Sequence, residues 1–287
     1  MTSPLTSVCD RLCELSRARF IDPYQCVPWP EALDDQAWHF SPDLMSLSGT
    51  PAAENLDAAV LRRLSLYEAL NFFSLNIHGE KLLLQGIASR LHERRFRATT
   101  PYLLHFIDEE NKHLYWFGEF CRRYGRVYSS RHLAIAAEPL PVTAEDFLFF
   151  ARVMVFEDIV DTYNARMAGD PRLSAIVRQI NRLHHADEVR HRAFGRAFLR
   201  HLWRDSNAEW SGPVRDAVGQ RLKAYFDLVW HDYVNADVYR DAGFPDPHAV
   251  ARLVRAAETT KARCREVAAP CRHFFTDLGV PMGEEDE

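Results

Sequence analysis

One short segment of the sequence places metal-ligand side chains on one side of a helix. Residues 184–194 read HHADEVRHRAF, within a longer run of helix-forming residues. Steps of four and three residues separate His184, Glu188 and His191, so their side chains lie within about 60° of one another around a helix axis. Imidazole and carboxylate groups together suit iron or manganese better than zinc. The neighbouring His185 could face inward instead of His184.

A second segment carries an acid on a helical face that is otherwise apolar. In LSLYEALNFFSLNIHGEKLLLQGIASRL, Glu80 lies between Ile77 and Leu84 on a stripe with helical spacing. Burying a carboxylate without a partner costs several kcal/mol. Glu80 is therefore either placed on this stripe by a wrong register or compensated by a positive charge nearby.

Two more segments repeat this anomaly. Glu110 and His113 fall on the apolar face of PYLLHFIDEENKHLYWFGEF, and Glu157 falls on that of AEDFLFFARVMVFEDIVDTYNARM. Glu109 also lies one turn from His113, but Glu110 is preferred because it gives the Glu-x-x-His spacing that Glu188 and His191 show. Glu-x-x-His alone is weak evidence; the histidine four residues before Glu188 makes that segment the strongest.

Together these segments match the ligand pattern of a dinuclear metal bundle. In such bundles two helices each contribute one glutamate and two others each contribute Glu-x-x-His, all directed inward. Two cations offset the buried negative charge that the carboxylates would otherwise carry. The predicted metal ligands are Glu80, Glu110, His113, Glu157, His184, Glu188 and His191.

Other polar and aromatic residues receive ordinary interpretations. Asp187 and Arg190 flank the ligands and are predicted to be a surface pair rather than partners of the ligands. Four histidines are predicted to be surface or boundary residues: His78, His105, His132 and His201. The phenylalanine-rich faces are predicted to be core rather than substrate cavity: Phe72, Phe73, Phe147, Phe149 and Phe150.

The elements that must position these residues are all helical. Helical patterns start near residues 57, 100, 143, 171, 213 and 246, with capping signals such as Thr99 or Thr100 before Pro101 and Asp170 before Pro171. We predict an all-α single domain over 1–287, in which 57–201 hold four metal-carrying helices and 213–278 hold additional helices. The proline-rich segment 21–57 predicts an extended arm, and the arm unit is assigned to 1–56. Residues 279–287 are predicted to be an acidic tail.

The composition indicates which kinds of partner and which cellular compartment to expect. The net charge is −5 and the pI is about 6.2, so neither nucleic acid nor an anionic membrane is expected as a partner. No signal peptide or membrane-spanning run is evident, and the six cysteines include no CxxC pair. We therefore expect a cytoplasmic protein with free thiols.

The ligand set resembles that of the p-aminobenzoate N-oxygenase (AurF-type) family of ferritin-like diiron proteins. The histidine one turn before the final Glu-x-x-His carries the resemblance, and SPDLMSLSGTPAAENLDAAVLRRLSLYEALNFF resembles the family's lead-in. The resemblance implies two iron ions, O₂ as co-substrate, an external electron donor and a homodimer. It also implies that Glu110 and Glu188 bridge the ions while Glu80 and Glu157 are terminal. The implied activity is oxidation of the nitrogen of a small amine in secondary metabolism.

Three other functions stay open at the level of the sequence. A diiron C–H hydroxylase or desaturase would share the metal but change the reaction, although the added His184 disfavours it. A ferritin-like iron store would be shorter and form a shell. A metal-free interaction protein would pair the acids and histidines with one another.

Overall fold

The fold is built around four long helices in a computed structural model that describes residues 4–54, 56–130 and 138–283. Asp57 begins the first by accepting a hydrogen bond from the backbone N–H of Ala59, and Pro101 lies in the first turn of the second. The four helices are α2 (Ala58–Ala88), α3 (Thr100–Tyr124), α4 (Val142–Gly169) and α5 (Ala175–Ser206). The all-α fold predicted from the sequence is confirmed for the described residues.

Contacts between side chains fix the relative directions of these helices. Along α2 and α3, Phe73 stacks on Phe117 while Glu80 lies near His113, so the two helices run antiparallel. Helices α4 and α5 are antiparallel because Asn164 contacts His184 and Asp158 contacts Arg192. Helices α3 and α5 are antiparallel because Phe106 contacts His191 and His113 contacts Asp187. Helices α3 and α4 therefore run parallel. The connection between them, 125–141, must travel the length of the bundle, as in ferritin-like topologies with one long crossover; residues 131–137 of it, with His132, lie outside the described residues.

The N-terminal region contains a helix that the sequence analysis missed. Helix α1 (Pro4–Ala18) buries Leu5, Cys9 and Leu12 among its apolar residues and packs against α3 and α5. Its amphipathic spacing was the available signal, but the segment was assigned to the arm. The assignment of 1–56 to an extended arm is therefore wrong for the first part of that range.

The following segment does cross the bundle as an extended arm. Trp116 Nε1 donates to the carbonyl oxygen of Pro23 at 3.1 Å, and Tyr124 Oη donates to that of Pro30 at 2.6 Å. Two short 3₁₀ turns, Pro42–Leu44 and Pro51–Ala53, interrupt the arm before α2. The arm thus covers α3 and reaches the start of α2.

The predicted start of α5 near residue 171 is wrong. Asp170 does not cap a helix; it accepts hydrogen bonds from Ser41 Oγ at 2.7 Å and from Arg172 Nε at 2.9 Å. The chain turns there, and the backbone N–H of Ser174 donates to Trp38 at 2.8 Å before α5 begins at Ala175. Tertiary contacts with the arm override the local capping signal.

The C-terminal region forms more helices than predicted. They are α6 (Gly212–Leu228), α7 (Ala236–Asp241), α8 (Pro247–Ala256) and α9 (Glu258–Asp277). The single helix predicted from 246 is divided at Ala257, which has an extended backbone with φ −66° and ψ 131°; no proline or glycine marks this break. Helices α6 and α9 pack on α4. The predicted acidic tail is described only to residue 283.

No helix within 4–54, 56–130 or 138–283 is both long and apolar enough to cross a bilayer.

The six cysteines all lie in this part of the chain and are unpaired thiols. Burial raises the pKa of the Cys9 thiol to about 12.

Candidate metal centre

The structure brings all seven predicted ligand residues into one cluster inside the bundle. Helix α2 contributes one glutamate, α4 contributes another, and α3 and α5 supply the two Glu-x-x-His pairs and the added histidine. Each of the seven is at most 4% exposed. They are Glu80, Glu110, His113, Glu157, His184, Glu188 and His191.

One half of the cluster contains two imidazoles and a terminal carboxylate. His184 Nε2 lies 3.4 Å from Glu80 Oε1, and His113 Nδ1 lies 3.9 Å from the same oxygen. The two imidazole rings meet edge to face, with centroids 4.3 Å apart. Ligand atoms this close can share one cation, and the added His184 belongs to this half.

The other half contains Glu157 and His191, and two glutamates are shared between the halves. Glu110 directs one oxygen to each side, with Oε2 3.6 Å from His113 Nδ1 and Oε1 2.9 Å from His191 Nδ1. Glu188 Oε1 lies 3.1 Å from His184 Nε2 and 3.2 Å from His191 Nδ1. These positions fit the bridging roles that the family resemblance implies for Glu110 and Glu188.

Several of these buried polar atoms have no hydrogen-bond partner. Both carboxylate oxygens of Glu80 and one oxygen each of Glu110, Glu157 and Glu188 lack one, as does Nδ1 of His113. A buried donor or acceptor left unpaired costs about 1–3 kcal/mol, and the hydrogen bonds within the cluster do not satisfy these atoms. Two divalent cations would supply the missing partners and balance four carboxylate charges. The residues therefore fit a dinuclear metal centre.

The electrostatics of the cluster without cations are unfavourable. Burial raises the pKa of Glu80 well above its usual value, and the charge of Glu110 raises it further. Burial likewise raises the pKa of Glu157, with Glu188 adding to the effect. Although burial favours the neutral acid, the imidazoles of His191 and His184 hold the pKa of Glu188 well below its usual range. Without cations, the site therefore favours the protonated form of Glu80 and Glu157 and the ionised form of Glu188. Such opposite pKa shifts are expected where several charged groups are buried close together without a counter-ion.

Each inward-facing imidazole has a partner for its other ring nitrogen. His113 Nε2 lies 3.2 Å from Asp187 Oδ2, and His191 Nε2 lies 2.9 Å from Glu109 Oε2. Such carboxylate partners fix the tautomer and the ring orientation of metal-binding histidines. Glu109, which the sequence left as an alternative ligand, therefore lies behind a ligand instead of among the ligands.

The prediction that Asp187 and Arg190 form a surface pair is wrong. Asp187 is 1% exposed and Arg190 is 3% exposed. Arg190 binds both Asp187 and Glu109, with Nε 3.1 Å from Glu109 Oε1, so one guanidinium joins the carboxylates behind two imidazoles. Lys112 Nζ lies 3.0 Å from Asp187 Oδ2, and its role was not predicted. Helical spacing placed these residues beside the ligand face, but only the packing of α3 on α5 buries them.

The third histidine has an amide as its partner. Asn164 Nδ2 lies 2.5 Å from His184 Nδ1, and Asn164 Oδ1 has no hydrogen-bond partner. A cation at Nε2 would leave the proton on Nδ1, so metal binding requires the amide oxygen to face the ring. The two amide orientations have the same shape, and the opposite one also provides Oδ1 with a donor. His185 points away from the centre and pairs with Asp161 at 2.5 Å.

The remaining sequence predictions concern residues outside the cluster. The predicted core residues Phe72, Phe73, Phe147 and Phe150 are at most 3% exposed. Phe149 differs because it lines a cavity between α2, α4 and α6. His78 lines the same cavity and its Nε2 lies 2.7 Å from the carbonyl oxygen of Tyr128.

Comparison with known proteins places the chain in a family. A family model described as p-aminobenzoate N-oxygenase AurF matches residues 5–279. The chain belongs to the p-aminobenzoate N-oxygenase family. Membership confirms the family resemblance drawn from the sequence and makes the protein an oxidoreductase of the diiron oxygenase class.

Solved structures support the fold. An R2-like ligand-binding oxidase with an aerobically reconstituted Mn/Fe cofactor has a TM-score of 0.51, 16% identity and coverage of 96% of this chain and 92% of that chain. A variant of R2-like ligand-binding oxidase with an anaerobically reconstituted Mn/Fe cofactor has a TM-score of 0.53, 16% identity and coverage of 96% and 93%. At this identity the likeness establishes the ferritin-like fold. A search of curated protein sequences finds no significant match.

Proposed function

We propose that this protein is a diiron N-oxygenase that uses O₂ to oxidise the nitrogen of a small amine. The observation that carries the proposal is the position of His184, a third imidazole beside Glu80 and His113 in a member of this family. An external electron donor, a homodimeric state and a role in secondary metabolism belong to the same proposal.

The protein's own residues divide the work of the site. Seven side chains from four helices would hold the two ions, and bound iron would supply the O₂ chemistry. Asp187, Glu109 and Asn164 orient the three imidazoles and keep the proton on the nitrogen that faces outward. The surrounding apolar core excludes water, which strengthens each electrostatic contact inside.

The third imidazole bears on the reaction through charge. His184 is a neutral ligand in addition to the four carboxylates and two other histidines. A carboxylate in its position would make the net charge of that half of the centre more negative by one unit. His184 also occupies space beside Glu80 at 3.4 Å, which limits the open positions on that side. Both effects tune the reactivity of a bound metal.

The proposal is tested with metal-loaded protein and a panel of arylamines and alkylamines. Protein reduced and then exposed to O₂ should convert at least one amine to its hydroxylamine, nitroso or nitro product, as identified by mass spectrometry. Loading with iron alone and with iron plus manganese shows which metals support turnover. His184→Gln should lose N-oxidation, whereas His201→Gln, at a partly exposed histidine outside the cluster, should not.

Two outcomes would contradict the proposal. Products hydroxylated on carbon with unchanged nitrogen would favour a diiron C–H hydroxylase or desaturase. A particle of ferritin-shell size in size-exclusion chromatography, together with iron uptake and no amine product, would favour an iron store.

A further inference from the structure

Two aromatic side chains are exposed on the segment that joins α1 to the arm. All Phe, Tyr and Trp residues of the chain lie in the described ranges, and only Phe20 and Tyr24 have more than half of their surface exposed, at 61% and 66%. Aromatic side chains carry large apolar surfaces and are enriched where one protein binds another. An exposed pair on one short segment therefore indicates an interaction surface.

The two exposed rings lie over a single turn of α3. The centre of the Phe20 ring lies 5.8 Å from Lys112 Nζ, and the ring of Tyr24 packs edge to face on that of Tyr115, with centroids 4.8 Å apart. Residues three apart are neighbours on a helix surface, so Lys112 and Tyr115 hold the two rings side by side. The same turn carries His113, a predicted metal ligand.

A short series of contacts leads from Phe20 to this ligand. Lys112 Nζ, beside the Phe20 ring, lies 3.0 Å from Asp187 Oδ2. The same oxygen lies 3.2 Å from His113 Nε2. Two side chains therefore connect an exposed aromatic ring with an imidazole of the metal centre.

A second series of contacts starts at Tyr24. The residue before it, Pro23, accepts a hydrogen bond at its carbonyl oxygen from Trp116 Nε1 at 3.1 Å. The ring of Trp116 lies 5.6 Å from that of His113, measured between centroids. Both exposed rings are thus linked through packed groups to the same imidazole, and the two links use different side chains.

Other surfaces of the bundle lack such a pair of rings. Helix α4 is covered by α6 and α9. The other large apolar side chains that are exposed in the described ranges are aliphatic: Leu82, Leu104, Val127, Val142, Val189 and Leu253. The segment between α1 and the arm is therefore the place where exposed aromatic surface comes close to the metal centre.

Positive charge flanks Phe20 in the sequence. Arg17 and Arg19 are exposed, and neither forms an ion pair with another residue of the described ranges. Asp22 accepts two hydrogen bonds within its own turn, at 2.9 Å and 2.7 Å, and Asp108 lines a small cavity together with Arg17. Unpaired guanidinium groups beside apolar rings suit a partner with an acidic docking surface.

These features fit a particular class of partner. Weak electron-transfer complexes bury less than about 1,200 Å² in total, so two rings and two flanking cations can form the centre of such an interface. The contacts behind the rings give electrons a path through packed protein to the metal centre. A small acidic electron-transfer protein meets both conditions.

We propose that the Phe20 face, formed by Arg17, Arg19, Phe20 and Tyr24, is the docking surface for the external electron donor, a small acidic electron-transfer protein. Two reduced donors would each give one electron, so that two iron(III) ions become iron(II) and both donors become oxidised, with no bond formed or broken. This rests on the proposed function for the need of a donor, but the reduction itself requires no amine.

The test follows reduction of the iron(III)-loaded protein by stopped-flow absorbance without oxygen. The probes are a reduced acidic [2Fe–2S] ferredoxin and a reduced acidic flavodoxin, with dithionite as a small reductant; the two protein probes distinguish an iron–sulfur donor from a flavin donor. At least one protein donor should react in a second-order step that slows as salt is added. Phe20→Ala combined with Tyr24→Ala should lower that rate constant roughly tenfold, as loss of aromatic anchors does, and leave the rate with dithionite unchanged.

Charge variants and matched controls separate the face from the rest of the surface. Arg17→Glu combined with Arg19→Glu should lower the rate constant with the protein donor and weaken its dependence on salt. Leu253→Ala on α8, at a residue that is 55% exposed, should keep the rate of the wild-type protein. Arg204→Glu combined with Arg240→Glu makes the same change of net charge at exposed side chains of α5 and α7 and should affect the rate far less.

Complex formation gives a readout that does not depend on electron transfer. Adding the iron-loaded wild-type protein to the oxidised, ¹⁵N-labelled donor should broaden the NMR signals of one patch of the donor. The variant with Phe20→Ala and Tyr24→Ala should cause much less broadening. Iron content and the free energy of unfolding should be equal in both proteins, because the two replaced side chains are exposed.

Two results would overturn the inference. One is a wild-type protein that dithionite reduces and neither protein donor does; the other is a variant with Phe20→Ala and Tyr24→Ala that a protein donor reduces as fast as the wild-type protein. Failure of the proposed function is distinguishable. Reduction that depends on the Phe20 face without any N-oxidised product refutes the oxygenase and leaves the docking surface, whereas N-oxidised product formed with a protein donor independently of this face refutes the docking surface alone.

Discussion

The buried carboxylate behind His113 allows metal binding to be separated from folding stability. Asp187 Oδ2 lies 3.2 Å from His113 Nε2 and 3.0 Å from Lys112 Nζ, and the acid also binds Arg190. The substitution Asp187→Asn keeps the shape of the side chain and removes its charge. We expect two effects, one on each neighbour.

The first effect is on metal affinity. An amide is a weaker acceptor than a carboxylate and no longer supports the charge that metal binding places on the imidazole of His113. Loss of such a partner costs about 10- to 100-fold in metal affinity, which is about 1.4 to 2.7 kcal/mol.

The second effect is on stability and comes from Lys112. Its side chain is 3% exposed, so without the negative charge of Asp187 its ammonium group is buried and uncompensated. Breaking a buried ion pair by removing one partner costs about 3–5 kcal/mol. Arg190 keeps Glu109 as a partner and should contribute less to the loss. The double variant Lys112→Met with Asp187→Asn should therefore recover most of the free energy of unfolding but not the metal affinity.

The assay combines competition with a chelator for metal affinity and denaturant unfolding of the metal-free protein. Asp205→Asn on α5 is the control, because its side chain is 45% exposed. An unchanged metal affinity in Asp187→Asn would refute the role given to this carboxylate. A double variant as unstable as the single variant would refute the role given to Lys112.

Three further predictions follow from other residues. Asn164→Leu removes the partner of His184 Nδ1 and should weaken one of two metal-binding steps by about 10- to 100-fold, whereas Asn164→Asp should not. Equal metal-titration curves for the leucine variant and the wild-type protein would contradict this prediction. Burial raises the pKa of Glu68 from 4.5 to about 7, so between these pH values the folded state retains a proton that the unfolded state loses. The free energy of unfolding should therefore fall by up to about 3 kcal/mol as pH rises from 4.5 to 7. Glu68→Gln should lack this part of the pH dependence in denaturant titrations at pH 5 and pH 8. Iron(II) at a hundred times its dissociation constant should stabilise the fold by about 2.7 kcal/mol per site, so a melting temperature that is unaffected by a chelator would contradict metal binding at the core.

The parts of the fold that could be predicted from the sequence are those set by local periodicity. The starts of α2 and α3 follow capping and proline signals, and the buried glutamates mark the inner faces of α2, α3 and α4. The start of α5 could not be predicted, because Asp170 satisfies Arg172 and Ser41 instead of a helix end. The division between α8 and α9 carries no local signal at all.

The site was predictable to the extent that helix faces determine it. Spacing placed Glu110 and His113 on one face without showing which residues of other helices would stand behind them. Arg190 and Lys112 are charged residues that look exposed in sequence, and only the packing of α3 against α5 explains their burial. The cavity between α2, α4 and α6 is lined by side chains of several helices and has no counterpart in local sequence.

The metal content of the protein tests the central claim most directly. Protein loaded anaerobically with iron(II) and freed of excess metal should contain about two ions per chain by elemental analysis, and Glu188→Ala should lose most of both because this residue lies between the two halves of the cluster. Retention of less than about one ion per chain by the wild-type protein, or equal metal content in Glu188→Ala, would contradict the account.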